Sequence, residues 1–180
     1  MKHIFYILII TLLVSCNSED AYDCFQTEGN FMQKEVTVTS FESILVNRDI
    51  ELIVKEGSEY KVIIETGENL LNDVEAIVVG NQLQLTDNNS CNYIRNYGIT
   101  KVYVTAPSLK EIRNSSQYEV SSDGVLTYPY LTIISEDFVV PNNFTVGDFK
   151  LQVEVETLDV VANNISSFYI SGTVNNLFIG

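Results

Sequence analysis

Glu154 and Glu156 are the pair of side chains whose spacing best suits acid–base chemistry. They alternate along a predicted strand, which puts both carboxylates on one face, about 7 Å apart by the rise of a strand. Paired carboxylates near that separation can cleave or eliminate glycosidic bonds. The other face of the same strand is apolar, so the simpler interpretation is two solvated acids on the outside of a sheet. Both hypotheses stay open at this stage, a polysaccharide lyase or hydrolase site and an ordinary strand face.

The sequence lacks the residues that most other catalytic sites need. Its single histidine is His3, which lies in the N-terminal export segment described next. Without imidazole the remainder cannot form a Ser-His-Asp triad, a Cys-His pair or a histidine-ligated zinc site. A Cys-x-x-Cys pair and a glycine-rich phosphate loop after a strand are also missing from the sequence. We therefore predict a protein that is not an enzyme and binds no cofactor or metal.

Cys16 ends the one long apolar run of the sequence. Lys2 precedes the run, which covers residues 4–14 and is too short to span a bilayer. The segment Leu13-Val14-Ser15-Cys16 resembles the lipobox that lipoprotein signal peptidase reads. An ordinary secretory site fits less well, because the third residue before the cysteine is a leucine rather than a small residue. The pattern predicts a signal peptide over 1–15 and a diacylated Cys16 that anchors the mature protein to a membrane.

The residues after the predicted lipid site indicate a location. Asn17-Ser18-Glu19-Asp20 is similar to the short acidic signal that displays Bacteroidetes lipoproteins on the outer face of the outer membrane. We predict an outer membrane lipoprotein at the cell surface, with a periplasm-facing position as the alternative. The predicted organisation is a lipoprotein signal peptide over 1–15, an acidic tether over 16–34 and one domain over 35–180.

Cys24 and Cys91 form a candidate disulfide once Cys16 is committed to lipid. An exported protein folds in an oxidising compartment, where such bonds persist. Closing a loop of that length stabilises a fold by roughly 4 kcal/mol in the chain-entropy model. The bond would also tie the tether to the domain. Two separate thiols are the alternative.

The charge of the chain argues against two classes of partner. The formal net charge is −14 over 180 residues, and Lys2 is the only charged side chain in the predicted signal peptide, so the mature chain carries −15. Such a surface is repelled by nucleic acid and by anionic lipid head groups. We therefore predict no nucleic-acid partner, and a membrane contact through the lipid anchor.

Tyrosines are the candidate binding residues. Nine of the ten follow the predicted signal peptide, and the chain has no tryptophan. Tyr93 and Tyr97 lie in a long polar segment, residues 87–98, between two predicted strands. Exposed tyrosine offers contact area with few rotatable bonds, and loops of this length often carry function. We predict that Tyr93 and Tyr97 contact a carbohydrate or protein ligand. The alternative is that both pack on the sheet.

The pattern from about residue 35 predicts an all-β domain. Apolar and polar residues alternate over 36–39, 50–55 and 60–64. Gly80-Asn81 predicts a hairpin, because glycine adopts the positive φ that a tight turn requires. Residues 68–73 predict a single helical turn.

The second half repeats with a period near twenty residues. Such a period, with two short strands in each repeat, favours a β-solenoid. A β-sandwich of antiparallel hairpins is the alternative. Two apolar series carry the period, Ile112, Leu131, Leu151 and Ile170, and then Val140, Val160 and Ile179. The predicted corners are Asp123-Gly124, Asn142-Asn143 and Asn163-Asn164 on one side, and Glu136-Asp137, Glu156-Thr157 and Asn175-Asn176 on the other.

The order of these segments resembles a known family. The residues that carry the resemblance are Phe41-Glu42-Ser43-Ile44, then residues 50–54, 66–71, 83–85 and 102–112, and finally the segment 172–177. Together they resemble the head GIN domain family, described as auto-transporter adhesins and common among Bacteroidetes lipoproteins. The resemblance covers residues 35–180. It implies a right-handed parallel β-helix-like domain, with hairpins in its N-terminal part, on the cell envelope, and brings no catalytic residues.

The C-terminus departs from that family pattern. Family members usually continue for several more rungs, whereas this sequence stops at Phe178-Ile179-Gly180, inside a predicted strand. An open strand edge invites pairing with another strand. Either the sequence is truncated, or the terminal rung pairs with another copy, and the latter predicts self-association.

Overall fold

The computed structural model describes residues 23–89, 91–136 and 145–180. The predicted signal peptide, Cys16, Val140 and Asn142-Asn143 lie outside these ranges. Two one-turn 3₁₀ helices, Asp23–Phe25 and Leu71–Asp73, occur in the described part, and the second confirms the predicted helical turn. The described strands are β1 (Phe31–Val36), β2 (Ser43–Val46), β3 (Ile50–Glu56), β4 (Lys61–Gly67), β5 (Val74–Val79), β6 (Gln82–Asp87), β7 (Thr100–Ala106), β8 (Glu111–Asn114), β9 (Val120–Leu126), β10 (Tyr130–Ser135), β11 (Phe149–Ala162) and β12 (Phe168–Ile179).

These strands form one mixed sheet that nearly closes around its core, which confirms the predicted all-β class. The order is β1-β4-β7-β3-β9-β11-β10-β8-β2-β6-β5, and β12 pairs with β11. The pairs β1–β4, β4–β7 and β5–β6 are antiparallel, and the remaining pairs are parallel. The hairpin between β5 and β6 turns at Gly80, where φ is +63°, as predicted.

Strand β11 belongs to two rows of parallel strands. Its first half pairs with β9, in the row that continues to β3 and β7. Its second half pairs with β10, in the row that continues to β8, β2 and β6. Both rows meet β12, which follows β11 along almost its whole length. The sheet therefore has two ends, here called the hairpin end (β1, β4, β5, β6 and β7) and the β12 end.

Apolar side chains stack in columns across the parallel strands, because strand alternation points every second residue of each row into the core. The core consists of these stacked aliphatic and aromatic residues. Each buried leucine or isoleucine contributes about 1.5–3 kcal/mol relative to an exposed one. One column contains Leu83, Ile44, Ile112, Ile133 and Val160, and the other contains Val102, Leu52, Val120 and Phe149.

The predicted period is confirmed between β11 and β12. Residues 19 positions apart are paired there, including Phe149 with Phe168, Leu151 with Ile170, Leu158 with Leu177 and Val160 with Ile179. The rings of Phe149 and Phe168 stack with their centroids 5.1 Å apart.

The period is wrong earlier in the chain. Ile112 pairs with Ile133 rather than with Leu131. Leu131 pairs with Leu158, whereas Leu151 lies in the half of β11 that belongs to the other row. The connection over residues 136–148 separates Leu131 from Leu158 by 27 residues, so a count of twenty from Leu131 reaches the half of β11 that belongs to the other row.

The corner predicted at Asp123-Gly124 is also wrong, because these residues lie inside β9. The register between β9 and β11 shifts here, as in a β-bulge. Gly124 has a φ of +96°, a conformation that glycine adopts without strain. The residues that β9 has in excess of β11 are therefore accommodated within the strand, as a bulge. The corner at Asn163-Asn164 is confirmed, since it separates β11 from β12. The corners predicted at Glu156-Thr157 and Asn175-Asn176 are not breaks between strands, because they lie inside β11 and β12. Asp137, of the pair Glu136-Asp137, lies outside the described residues.

Candidate functional site

A disulfide between Cys24 and Cys91 joins the N-terminal segment to the connection between β6 and β7, as predicted. Residues 91–99 of that connection are here called the aromatic loop. The N–H of Tyr93 donates a 3.0 Å hydrogen bond to the carbonyl oxygen of Cys24. The guanidinium of Arg95 donates to the carbonyl oxygens of Gln26 and Cys91, at 3.2 and 2.8 Å. The loop is thus fixed to the start of the domain by one covalent bond and several hydrogen bonds.

Four large apolar side chains are exposed where the loop meets the N-terminal segment. Phe25 is 51% exposed, Tyr93 74%, Ile94 50% and Tyr97 72%, and these four residues are here called the aromatic patch. The rings of Phe25 and Tyr93 lie 5.7 Å apart at a tilted angle. The hydroxyl of Tyr97 donates to the carbonyl oxygen of Asn92. Neither tyrosine packs into the sheet, so their rings are available for contact.

A small cavity of about 220 Å³ lies beside the patch, between the loop and the sheet. Tyr93 and Tyr97 line it together with polar side chains, among them Asp49, Asp87, Asn89 and Thr100. The Oδ1 atom of Asn89 is buried and has no hydrogen-bond partner in the described part of the chain.

Asp87 supports this cavity from the end of β6. Its carboxylate accepts hydrogen bonds from the Asn89 N–H at 2.9 Å, the Asn89 side-chain amide at 2.7 Å and the Thr100 hydroxyl at 2.6 Å. Burial raises the pKa of Asp87, and these donors oppose the rise. Because its oxygens already have partners, Asp87 positions Asn89 and Thr100 rather than presenting a free ligand.

Glu154 and Glu156 lie on the outer face of β11, and both are exposed. The carboxylate of Glu156 accepts hydrogen bonds from the side-chain amides of Asn175 and Asn176, at 2.6 and 3.3 Å. The open depression beside the two glutamates is lined by Thr173 and Asn175, and none of its described lining residues is aromatic. The arrangement is that of a solvated strand face.

The β12 end carries the other exposed apolar surface. In the described part of the chain β12 pairs with β11 alone. Tyr169, Leu177, Phe178 and Ile179 are exposed along it.

Sequence reasoning missed Phe25, Ile94 and Asp87. Phe25 and Ile94 lie close in sequence to the two cysteines, so the predicted disulfide carried the signal that could have found them. Asp87 continues the inward alternation of Leu83 and Leu85 along β6, which placed it on the buried face.

Two features are absent from the described residues. Residues 23–89, 91–136 and 145–180 contain no group of three or more His, Cys, Asp or Glu side chains arranged to hold a metal ion. The same residues include no helix with the length and apolar character needed to cross a membrane.

The fold defines the class of this chain as an all-β domain with a mixed, largely parallel sheet. The family described as "Putative auto-transporter adhesin, head GIN domain" matches residues 40–180, and the chain therefore belongs to the head GIN domain family. This confirms the resemblance seen in the sequence. A comparison with curated proteins finds no match.

Several solved structures share the fold. A crystal structure titled as a putative adhesin from Bacteroides fragilis is 19% identical, with a TM-score of 0.70 over 82% of this chain and 66% of that one. One described as a putative lipid binding protein from Parabacteroides distasonis is 15% identical, with a TM-score of 0.59 over 84% of this chain and 62% of that one. One titled as a putative adhesin from Parabacteroides merdae is 14% identical, with a TM-score of 0.53 over 84% and 78%. This chain spans less than two thirds of the length of the first two.

Proposed function

We propose that this protein is a non-enzymatic, lipid-anchored domain of the cell envelope that makes contacts through its aromatic patch. The observation that carries the proposal is the exposure of Tyr93, Ile94 and Tyr97 on the aromatic loop and of Phe25 on the segment to which a disulfide fixes that loop. Exposed apolar side chains held in a fixed arrangement lose little conformational entropy on binding, which favours a contact role. Membership of a family described as adhesins supports the same conclusion.

The contact role is tested with two matched pairs of variants. The double variant Tyr93→Ala with Tyr97→Ala removes the two tyrosine rings of the patch, and Tyr130→Ala with Tyr169→Ala removes two exposed rings elsewhere. The wild type and the two double variants are compared for binding to glycan arrays, to extracted envelope proteins and to whole cells. We expect binding to fall in the first pair and to persist in the second. Equal binding by the two double variants would show that the patch does not make these contacts.

The anchor is proposed at Cys16, with display on the outer membrane at the cell surface. The lipobox-like segment that ends at Cys16 supports it. Cys16→Ser should release the protein from the membrane fraction, and protease added to intact cells should degrade the wild type. Protection of the wild type from protease would favour the periplasm-facing position instead.

We also propose that the two rows of strands are the faces of a right-handed parallel β-helix. The parallel pairs and the residue pairs 19 positions apart between β11 and β12 support this finer description. A crystal structure in which the chain rises by one strand spacing per coil, with right-handed connections, is the expected result. Rows that face each other as separate antiparallel sheets would contradict it.

Self-association through β12 is a further proposal, supported by the exposed residues of that strand. Sedimentation over a range of concentrations should show a larger species for the wild type, and Ile179→Lys should weaken it because a charge on a strand edge opposes pairing. A species of constant monomer mass at every concentration would exclude it.

The non-enzymatic character is tested by screening envelope and host glycans for cleavage. The variant Glu154→Gln with Glu156→Gln is the control. Cleavage by the wild type that this variant loses would overturn the proposal and restore the two carboxylates as catalytic groups.

A further inference from the structure

The aromatic patch lies close to the proposed lipid anchor along the chain. Cys24 follows Cys16 by eight residues, and Phe25 comes directly after Cys24. Eight residues span at most about 28 Å even when fully extended. The disulfide brings Cys91 to the same place, so the aromatic loop is held within nearly the same distance of the anchor. An anchored domain cannot carry this surface far from its membrane.

The patch is also at the end of the sheet that the tether reaches first. The aromatic loop connects β6 and β7, which belong to the hairpin end. Strands β2 and β8 lie between β6 and β10 in one row, and β3 and β9 lie between β7 and β11 in the other. Strand β12 lies beyond both rows. The patch therefore lies at the hairpin end, where the tether joins the domain, and several strands separate it from the β12 end.

The side chains of the patch suit the boundary between lipid and water. Tyrosine has an apolar ring and a polar hydroxyl, and it is enriched where one end is apolar and the other wet. Phe25 and Ile94 add purely apolar surface beside Tyr93. Glu28 and Glu68 lie with Ile94 around a neighbouring depression, so the local charge is negative. This combination fits a zwitterionic bilayer better than an anionic one.

From these observations we infer that the aromatic patch rests on the interface of the bilayer that holds the lipid anchor. The head-group region of that membrane is then a partner of Phe25, Tyr93, Ile94 and Tyr97. This inference rests on the proposed function, because it requires the acylated Cys16. It also gives the domain a fixed orientation, with β12 facing outward.

The absence of tryptophan from the chain allows a direct test. Tyr93→Trp places a single reporter in the patch, and Tyr169→Trp places a matched one on β12, where Tyr169 is also exposed. Each lipidated full chain is reconstituted into phosphatidylcholine vesicles, with and without brominated acyl chains. We expect Trp emission at position 93 to move to shorter wavelength and to be quenched by the brominated lipid. Emission at position 169 should match that of an exposed residue and stay unquenched.

A second variant keeps the test independent of any disturbance at position 93. Tyr97→Trp should show the same quenching, and adding Phe25→Ser and Ile94→Ser should reduce it, since both replacements remove apolar surface. Ile165→Ser, at an exposed residue outside the patch, should leave it unchanged. Vesicles enriched in phosphatidylglycerol should weaken quenching, and added salt should restore it.

Lipidation is measured separately by the mass of the N-terminal peptide, which distinguishes two kinds of failure. An acylated Cys16 with unquenched tryptophan at positions 93 and 97 would overturn the membrane contact and leave the lipid anchor intact. An unacylated Cys16 would overturn the proposed function and this inference with it. Emission at position 93 that responds to an added glycan or protein, and to no vesicle, would assign the patch to that ligand instead.

Discussion

The two ends of the sheet finish the same architecture in different ways. At the hairpin end, antiparallel strands pair with the parallel rows, and the Cys24–Cys91 bond fixes the adjoining loop. At the other end, β12 continues the parallel register and pairs, among the strands described, with β11 alone. Both ends expose large apolar side chains. The difference shows that exposed apolar surface here accompanies a covalently fixed loop at one end and an open strand edge at the other.

Of the variants that test this comparison, the one without the disulfide should show the largest loss of stability. Cys24→Ser with Cys91→Ser opens a link across 67 residues, which lowers the free energy of unfolding by roughly 4 kcal/mol in the chain-entropy model. Urea denaturation measures the loss. Amide hydrogen exchange should rise in residues 91–99 and stay unchanged in β12. Equal changes at both ends would show that the disulfide stabilises the whole sheet rather than the hairpin end.

Gly172 offers the corresponding test at the β12 end. Its φ is +111°, and a Cβ atom there would lie 2.0 Å from the carbonyl oxygen of Val153 on β11. Gly172→Val should therefore shift β12 away from β11 and lower the free energy of unfolding by about 1–3 kcal/mol. Gly180→Val, where nothing lies within 4 Å, is the matched control. Thermal unfolding compares the two, and an equal melting temperature would show that β12 contributes little to stability.

Asp87 should make the stability of the hairpin end depend on pH. This is the smallest of the three predicted effects on stability. Because burial raises its pKa in the folded state, the folded protein retains the proton to a higher pH than the unfolded chain does. Its contribution to stability is full below the unfolded pKa and is lost as the pH rises through the raised folded pKa. The Asp87→Asn variant cannot ionise at this position. The part of the pH dependence of the unfolding free energy that Asp87 causes should therefore be missing from the variant.

Urea denaturation from pH 3 to pH 8 measures this effect, as the difference in unfolding free energy between the wild type and the variant. The asparagine offers fewer acceptor sites to Asn89 and Thr100, so we expect a cost of about 1 kcal/mol in acid that shrinks as the pH rises. Asp123→Asn, on the exposed bulge of β9, is the control for removing a carboxylate. A difference that stays constant with pH would exclude Asp87 as the source.

Much of the local structure was predictable from the sequence. Strand alternation gave the all-β class, Gly80-Asn81 gave the hairpin, and the two cysteines gave the disulfide. These features depend on neighbouring residues or on residue chemistry. The pairing of distant strands depends on loop lengths as well, which is why the connection over 136–148 and the bulge at Gly124 displaced the predicted repeat.

The candidate site was predictable only in part, because tyrosine suits both the core and the surface. Tyr93 is exposed, whereas Tyr128 is buried and its hydroxyl donates to the carbonyl oxygen of Ala106 at 3.0 Å. Composition does not separate the two. The disulfide separates them, because it holds the segment around Tyr93 beside the N-terminal segment, where Tyr93 contacts Phe25.

The position of Cys24 has a mechanical consequence for a protein pulled by its N-terminus. Without the disulfide, such a force would peel β1 from β4, breaking hydrogen bonds one after another. With it, the load reaching Cys24 passes to Cys91 and into β6 and β7, each of which has a neighbouring strand on both sides. Strands flanked in this way must shear along several hydrogen bonds at once. The disulfide therefore makes the domain more resistant to unfolding when its tether is under tension.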